Sequence, residues 1–118
     1  MKYQWVRQQS GEDCAAASLA IIVKHYGRNF KINRIREVVG TGKDGTTLLG
    51  LKRGAESLGF TTKAIKIKPE FLDKLEKITL PAIIYWKGYH FAVLYGKKDE
   101  KYVVSDPGLG IRYLEKEE

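Results

Sequence analysis

Three residues of this 118-residue chain could together run nucleophilic chemistry: Cys14, His90 and Asp106. Cys14 follows the polar stretch Gln8-Gln9-Ser10-Gly11-Glu12-Asp13 and precedes the small run Ala15-Ala16-Ala17, a pattern that places it at the start of a helix. A thiol there feels the positive end of the helix dipole and backbone N–H groups without intrahelical partners. Both favour thiolate, the nucleophilic form. Taken alone, a lone cysteine is more often a buried structural residue. His90 opens the segment "HFAVLYG" and Asp106 closes "YVVSDPG". Each is ordinary by itself, a polar residue beside a turn and an Asp-Pro turn opener. If the two segments pair as antiparallel strands across their short connection, both residues fall at one end of the hairpin. There the carboxylate can engage one imidazole nitrogen and leave the other for a thiol.

The other histidine, His25, lies eleven positions after Cys14 on the same expected helix. Eleven residues at 1.5 Å each are about 16 Å, too far to touch the thiol. Its expected role is a favourable charge near the helix C-terminus.

The elements that must position these residues change character halfway along the chain. Asp13 is expected to cap a first helix that Gly27 ends after Tyr26, with Leu19, Ile22, Val23 and Tyr26 on one stripe. A second helix is expected over Asn33 to Val39, closed by Gly40. Thr46 or Thr47 should cap a third, with Leu48, Leu51, Ala55 and Leu58 on one face and Gly59 at its end. Gly50 and Gly54 weaken that helix by about 1 kcal/mol each relative to Ala, which close helix packing would explain. From Phe60 to Ile67 the pattern alternates as in a strand, and Pro69 can open a short helix through Ile78. Strands are then expected over Leu80 to Trp86, Phe91 to Tyr95, Tyr102 to Val104 and Ile111 to Leu114, with turns at Lys87-Gly88-Tyr89 and Gly96 to Lys101. The fold class is α+β, a helical layer packed on an antiparallel sheet, in a single domain.

Composition narrows the function classes. No segment approaches the roughly 18–20 apolar residues that span a bilayer; the longest apolar stretch, Ala15 to Val23, is interrupted by Ser18. Met1 to Glu12 is polar and does not read as a secretory signal, so the chain as given is expected to be soluble. One cysteine excludes an internal disulfide and a multi-thiolate metal site, and suits a reducing compartment. The net charge of +7 is spread along the chain. It reads as a solvated basic surface, or as attraction to anionic headgroups or an acidic partner. No nucleic-acid-binding signature accompanies it.

The chain resembles the N-terminal peptidase domain of bacterial ABC transporters that cleave double-glycine leaders and export the matured peptide. The resemblance rests on Gln8, "DCAAASLAII" from Asp13, Tyr26-Gly27, "LPAIIYW", "HFAVLYG" and "YVVSDPGLGIRYL", in the family's order over nearly the whole chain. It implies a papain-like cysteine peptidase fold. It also implies an oxyanion-hole donor at Gln8, six positions before Cys14, beside the backbone N–H of Cys14. The implied partners are a precursor peptide with an amphipathic helical leader and the transmembrane and ATPase domains of the same transporter, at the cytoplasmic face of the bacterial plasma membrane. Peptide hydrolysis needs no cofactor, and ATP with Mg would bind only in the ATPase domain. Trp86 and Tyr89 are candidates for the walls of a cleft that excludes side chains beside the cut, against ordinary hairpin packing. Ala15 departs from the glycine that many members carry after the cysteine. The chain also stops at Glu118, earlier than many such domains, so a terminal element could be missing. Two rival readings remain: a Cys-His-Asp acyltransferase or transglutaminase, and a module that binds the leader without cutting it.

Overall fold

The computed structural model describes residues 3–8, 13–40, 47–62, 79–86 and 90–115, with Trp86 described by its backbone alone. Three helices come first, α1 (Cys14–His25), α2 (Ile32–Val39) and α3 (Leu48–Ser57). Four strands follow, β1 (Ala82–Trp86), β2 (His90–Lys98), β3 (Lys101–Asp106) and β4 (Gly110–Leu114). They form one antiparallel sheet in the order β1-β2-β3-β4. The expected α+β layering is therefore what forms.

α1 is buried over its whole length from Ala15 to Val23 and is the centre of the molecule. Toward the other helices, Ala15, Ala16, Leu19 and Val23 pack with Ile35 and Val39 of α2 and with Leu51 and Ala55 of α3. Toward the sheet, Ile21 and Ile22 pack with Val93, Tyr95 and Val103. The period-2 alternation of β2 sends Ala92 and Leu94 to the opposite sheet face, where they join Tyr102, Val104 and Leu114. The alanines are what let α2, α3 and the sheet all approach one helix closely.

The helix ends follow local chemistry, with two corrections. Gly27 and Gly40 take left-handed φ values of 73° and 71°, as helix-terminating glycines do. Thr47 accepts from the Gly50 N–H at 2.9 Å and caps α3. Asp13 occupies the N-cap position of α1, but its side chain makes no capping hydrogen bond; it is committed to an ion pair. Leu48, expected on the buried face of α3, is 55 % exposed, because the first turn of this helix overhangs the core that Leu51 and Ala55 enter. Gly54 sits where the close-packing reading requires. A β-carbon there would lie 2.6 Å from Val39 Cγ1 and 2.9 Å from the Val38 carbonyl oxygen.

β1 starts two residues later than expected, at Ala82, whereas β2, β3 and β4 run longer than expected. β2 and β3 continue to a two-residue turn at Asp99-Glu100, both with positive φ (51° and 70°), the twist that suits a tight antiparallel hairpin. Gly96, read from sequence as the start of a turn, is instead a strand residue at a register shift of β2 against β3. Phe60 to Thr62 is irregular rather than strand. The rest of the strand expected through Ile67 and the helix expected from Pro69 to Ile78 lie outside the described residues, as does the Lys87-Gly88-Tyr89 turn. Among the described residues no helix is long and apolar enough to cross a membrane.

Candidate active site

His90 and Asp106 are brought together by the β2–β3 pairing, although 16 positions separate them. His90 Nε2 lies 3.0 Å from Asp106 Oδ1. Asp106 is 1 % exposed, and its Oδ1 also accepts from the Gly108 N–H at 2.9 Å, an Asx-type turn that the sequence Asp-Pro-Gly favours. Arg112 on β4 holds a guanidinium nitrogen 3.6 Å from the second carboxylate oxygen. A buried carboxylate is costly unless such partners satisfy it. This set gives the buried carboxylate partners and fixes it in place. The imidazole is half-buried, with Nε2 facing the carboxylate.

Cys14 opens α1 and is half-buried. It packs against the cluster of α1, α2 and α3 residues to which Phe91, the residue after His90, also belongs. The sequence pattern thus put the thiol on a helix N-terminus and the pair on a hairpin end, and α1, through Ile21 and Ile22 against Val93, Tyr95 and Val103, packs on the sheet that carries the pair.

Gln8 belongs to an extended segment that runs along the β3–β4 turn. Its N–H donates to the Pro107 carbonyl at 3.0 Å. Its side-chain amide reaches Gly108 so closely that a β-carbon on Gly108 would lie 3.5 Å from both Gln8 Oε1 and Asp106 Oδ1. The same segment is tied down elsewhere. The Trp5 indole N–H donates to the Asp106 carbonyl at 2.6 Å. The Ser105 hydroxyl donates to the Gln4 carbonyl at 2.7 Å, and the Gln4 N–H donates to the Tyr95 hydroxyl at 3.0 Å. Burial raises the Tyr95 phenol above its ordinary pKa, against the opposing effect of that Gln4 N–H. Sequence reasoning missed Trp5, Ser105 and Arg112 as members of this neighbourhood. The residue type of Trp5, a large indole in a polar segment, was the only available signal.

Trp86 pairs with His90 across β1 and β2, while Tyr89 lies outside the described residues. The exposed aromatic that the structure does place here is Tyr85, 57 % exposed, its ring tilted at 44° against Phe91 with centroids 4.6 Å apart. His25 is at the far end of α1, edge-on to Tyr26 and Tyr95. No group of three or more His, Cys, Asp or Glu among the described residues could hold a metal ion.

Comparison with known proteins converges on one family. The peptidase C39 family matches residues 2–118. The colicin V secretion/processing ATP-binding protein of Escherichia coli is 36 % identical over 113 residues, 96 % of this chain and 16 % of that protein. The lactococcin-G-processing and transport ATP-binding protein of Lactococcus lactis subsp. lactis is 38 % identical over 109 residues, 89 % of this chain and 15 % of that protein. The chain thus spans about a sixth of the length of these relatives. Among solved structures, the peptidase domain of Streptococcus ComA, a bi-functional ABC transporter involved in a quorum-sensing pathway, superposes with a TM-score of 0.86 at 34 % identity, covering 98 % of this chain and 88 % of that one. A double-glycine-motif protease from an AMS/PCAT transporter, solved in complex with the leader peptide, superposes at 0.90 with 32 % identity, covering 98 % and 81 %.

Proposed function

Because the chain belongs to the peptidase C39 family, we propose that it is a cysteine endopeptidase that removes the leader of a secreted precursor peptide after a double-glycine motif. The observation that supports the residue assignment is the His90 Nε2 to Asp106 contact at 3.0 Å on a buried carboxylate, in the sheet on which the helix opened by Cys14 packs. In this reading His90 Nδ1 takes the thiol proton, and the Cys14 sulfur attacks the carbonyl carbon of the second glycine. The oxyanion that forms is held by the backbone N–H of Cys14 and the side-chain amide of Gln8. Collapse breaks the peptide bond, His90 protonates the leaving amine, and the acyl group stays on sulfur as a thioester. Water, deprotonated by His90, attacks the thioester; the leader leaves as a carboxylate and the thiol is regenerated. Asp106 stabilises the imidazolium and fixes its orientation throughout.

The same reading makes this chain the single-domain peptidase portion of a longer transporter. Its membrane and ATPase domains would use ATP and Mg, and the peptidase would face the cytoplasm, where a lone thiol stays reduced. Names of the relatives, which pair processing with transport and ATP binding, support it. The deciding experiment incubates a precursor peptide, a full-length leader continued past its Gly-Gly, with the parent chain and with Cys14→Ala, and reads products by mass spectrometry. Cleavage after Gly-Gly by the parent alone is expected. Turnover by the alanine variant within tenfold of the parent overturns the assignment of Cys14.

A further inference from the structure

Asp13 is fully buried immediately before Cys14, and the chemistry above leaves it without a task. An aspartate at a helix N-cap ordinarily turns its carboxylate onto the N–H groups of the first turn. Here it does not. The side chain makes no capping hydrogen bond, and its Oδ1 lies instead 2.8 Å from Arg36 Nε. Arg36 is carried by α2, whose Ile35 and Val39 are anchored in the same cluster as Ala15, Ala16 and Leu19, so the guanidinium is delivered by the helix packing itself.

Resting on the reading of Cys14 as nucleophile, we propose that the Asp13–Arg36 ion pair is a positioning device for the thiol. It keeps a buried negative charge turned away from the first turn of α1 and balances it. The dipole of α1 and the N–H groups that Asp13 would otherwise claim then act on the sulfur and on the oxyanion. Without Arg36, an uncompensated carboxylate would sit one residue from the thiol and oppose thiolate formation. Without Asp13, the nearby guanidinium would favour thiolate. The two losses therefore act in opposite directions, which a purely structural tie between helices would not do. Among the described residues, the titratable and charged groups on the packed elements include Arg34 and Glu37 on α2, paired with each other, and His90 on β2 and Asp106 on β3, bonded to each other, with Arg112 of β4 beside Asp106. On α3, Lys52 and Glu56 pair with each other.

The test measures the rate of Cys14 alkylation by iodoacetamide against pH in the parent, Arg36→Met, Asp13→Asn and the double variant. No peptide is needed, so the result stands apart from whether the chain cleaves a leader. Arg36→Met should alkylate about tenfold more slowly at pH 7, its profile moved to higher pH, with kcat on a leader peptide lowered and KM little changed. Asp13→Asn should move the alkylation profile to lower pH, and the double variant should return close to the parent. Arg36→Lys should restore most of the parent profile, since it keeps the charge. Displacement of both single variants in the same direction, or of neither, overturns the proposal. If Arg36→Met does not fold, Asp13→Asn decides alone. In that variant a profile unmoved or moved to higher pH overturns the pair's role.

Discussion

A histidine that serves as base and then as acid cannot be replaced in part, whereas a residue that only orients it can. His90→Ala is accordingly expected to abolish cleavage. Asp106→Asn should leave slow but measurable turnover, because the amide can still hold the ring but stabilises the imidazolium poorly. Arg112, Gly108 and the buried position of Asp106 make that substitution harsher than at an exposed site, since they are arranged for a charge. Comparing initial rates of the two variants separates the roles; equal loss in both would make Asp106 as essential as the base. Gln8 is tested differently. Its amide lies against the Asp106–Gly108 turn. If it donates to the oxyanion, Gln8→Ala lowers kcat by about 10²–10³ with little change in KM. An effect confined to KM would instead make Gln8 a ground-state contact.

At the scale of elements, the approach of α2 to α3 is set by a residue without a side chain. Gly54→Ala would gain about 1 kcal/mol of helix propensity. The added carbon, however, meets Val39 Cγ1 at 2.6 Å and the Val38 carbonyl oxygen at 2.9 Å. Neither can retreat easily, because Val39 is buried and the other contact is backbone. Overpacking of this kind costs about 1–3 kcal/mol, so the clash outweighs the propensity. Thermal unfolding of Gly54→Ala should show a lowered Tm, and an unchanged or raised Tm would mean that the helices separate without loss. Because α2 also carries Arg36, the same variant is expected to disturb the Asp13 pair as well.

For the whole molecule, the proposed activity makes a demand on substrate length. A cleft that admits only glycine beside the cut contacts little apolar surface and can contribute little affinity. Most binding must then come from the rest of the leader, as an amphipathic helix laid on an apolar face. A short peptide holding only the Gly-Gly site should therefore be cut far less efficiently than the full leader. Replacing the second glycine by valine should stop cleavage while leaving leader binding intact. Fluorescence anisotropy and cleavage assays on the two peptides measure both, and equal kcat/KM for short and full-length substrates would rule out leader docking.

Helix starts, glycine stops and the alternation of β2 were legible in the sequence because each depends on residues close in the chain. Cys14 at a helix N-terminus, Thr47 as a cap and Gly27 and Gly40 as terminators are of this kind. So is the shared hairpin end of His90 and Asp106, once a short connection dictates antiparallel pairing. What depends on distant surfaces meeting was decided by the tertiary structure. Asp13 reads locally as a cap, yet its carboxylate goes to Arg36, because helix packing delivers a guanidinium that outcompetes the backbone N–H groups. Leu48 fits the helical stripe but lies beyond the core's edge. Gly96 reads as a turn, but positive φ at Asp99 and Glu100 moves the turn onward and leaves Gly96 at a register shift. Trp5 and Arg112 reach Asp106 only because the N-terminal segment and β4 flank the end of β3, and no spacing in the sequence records that adjacency.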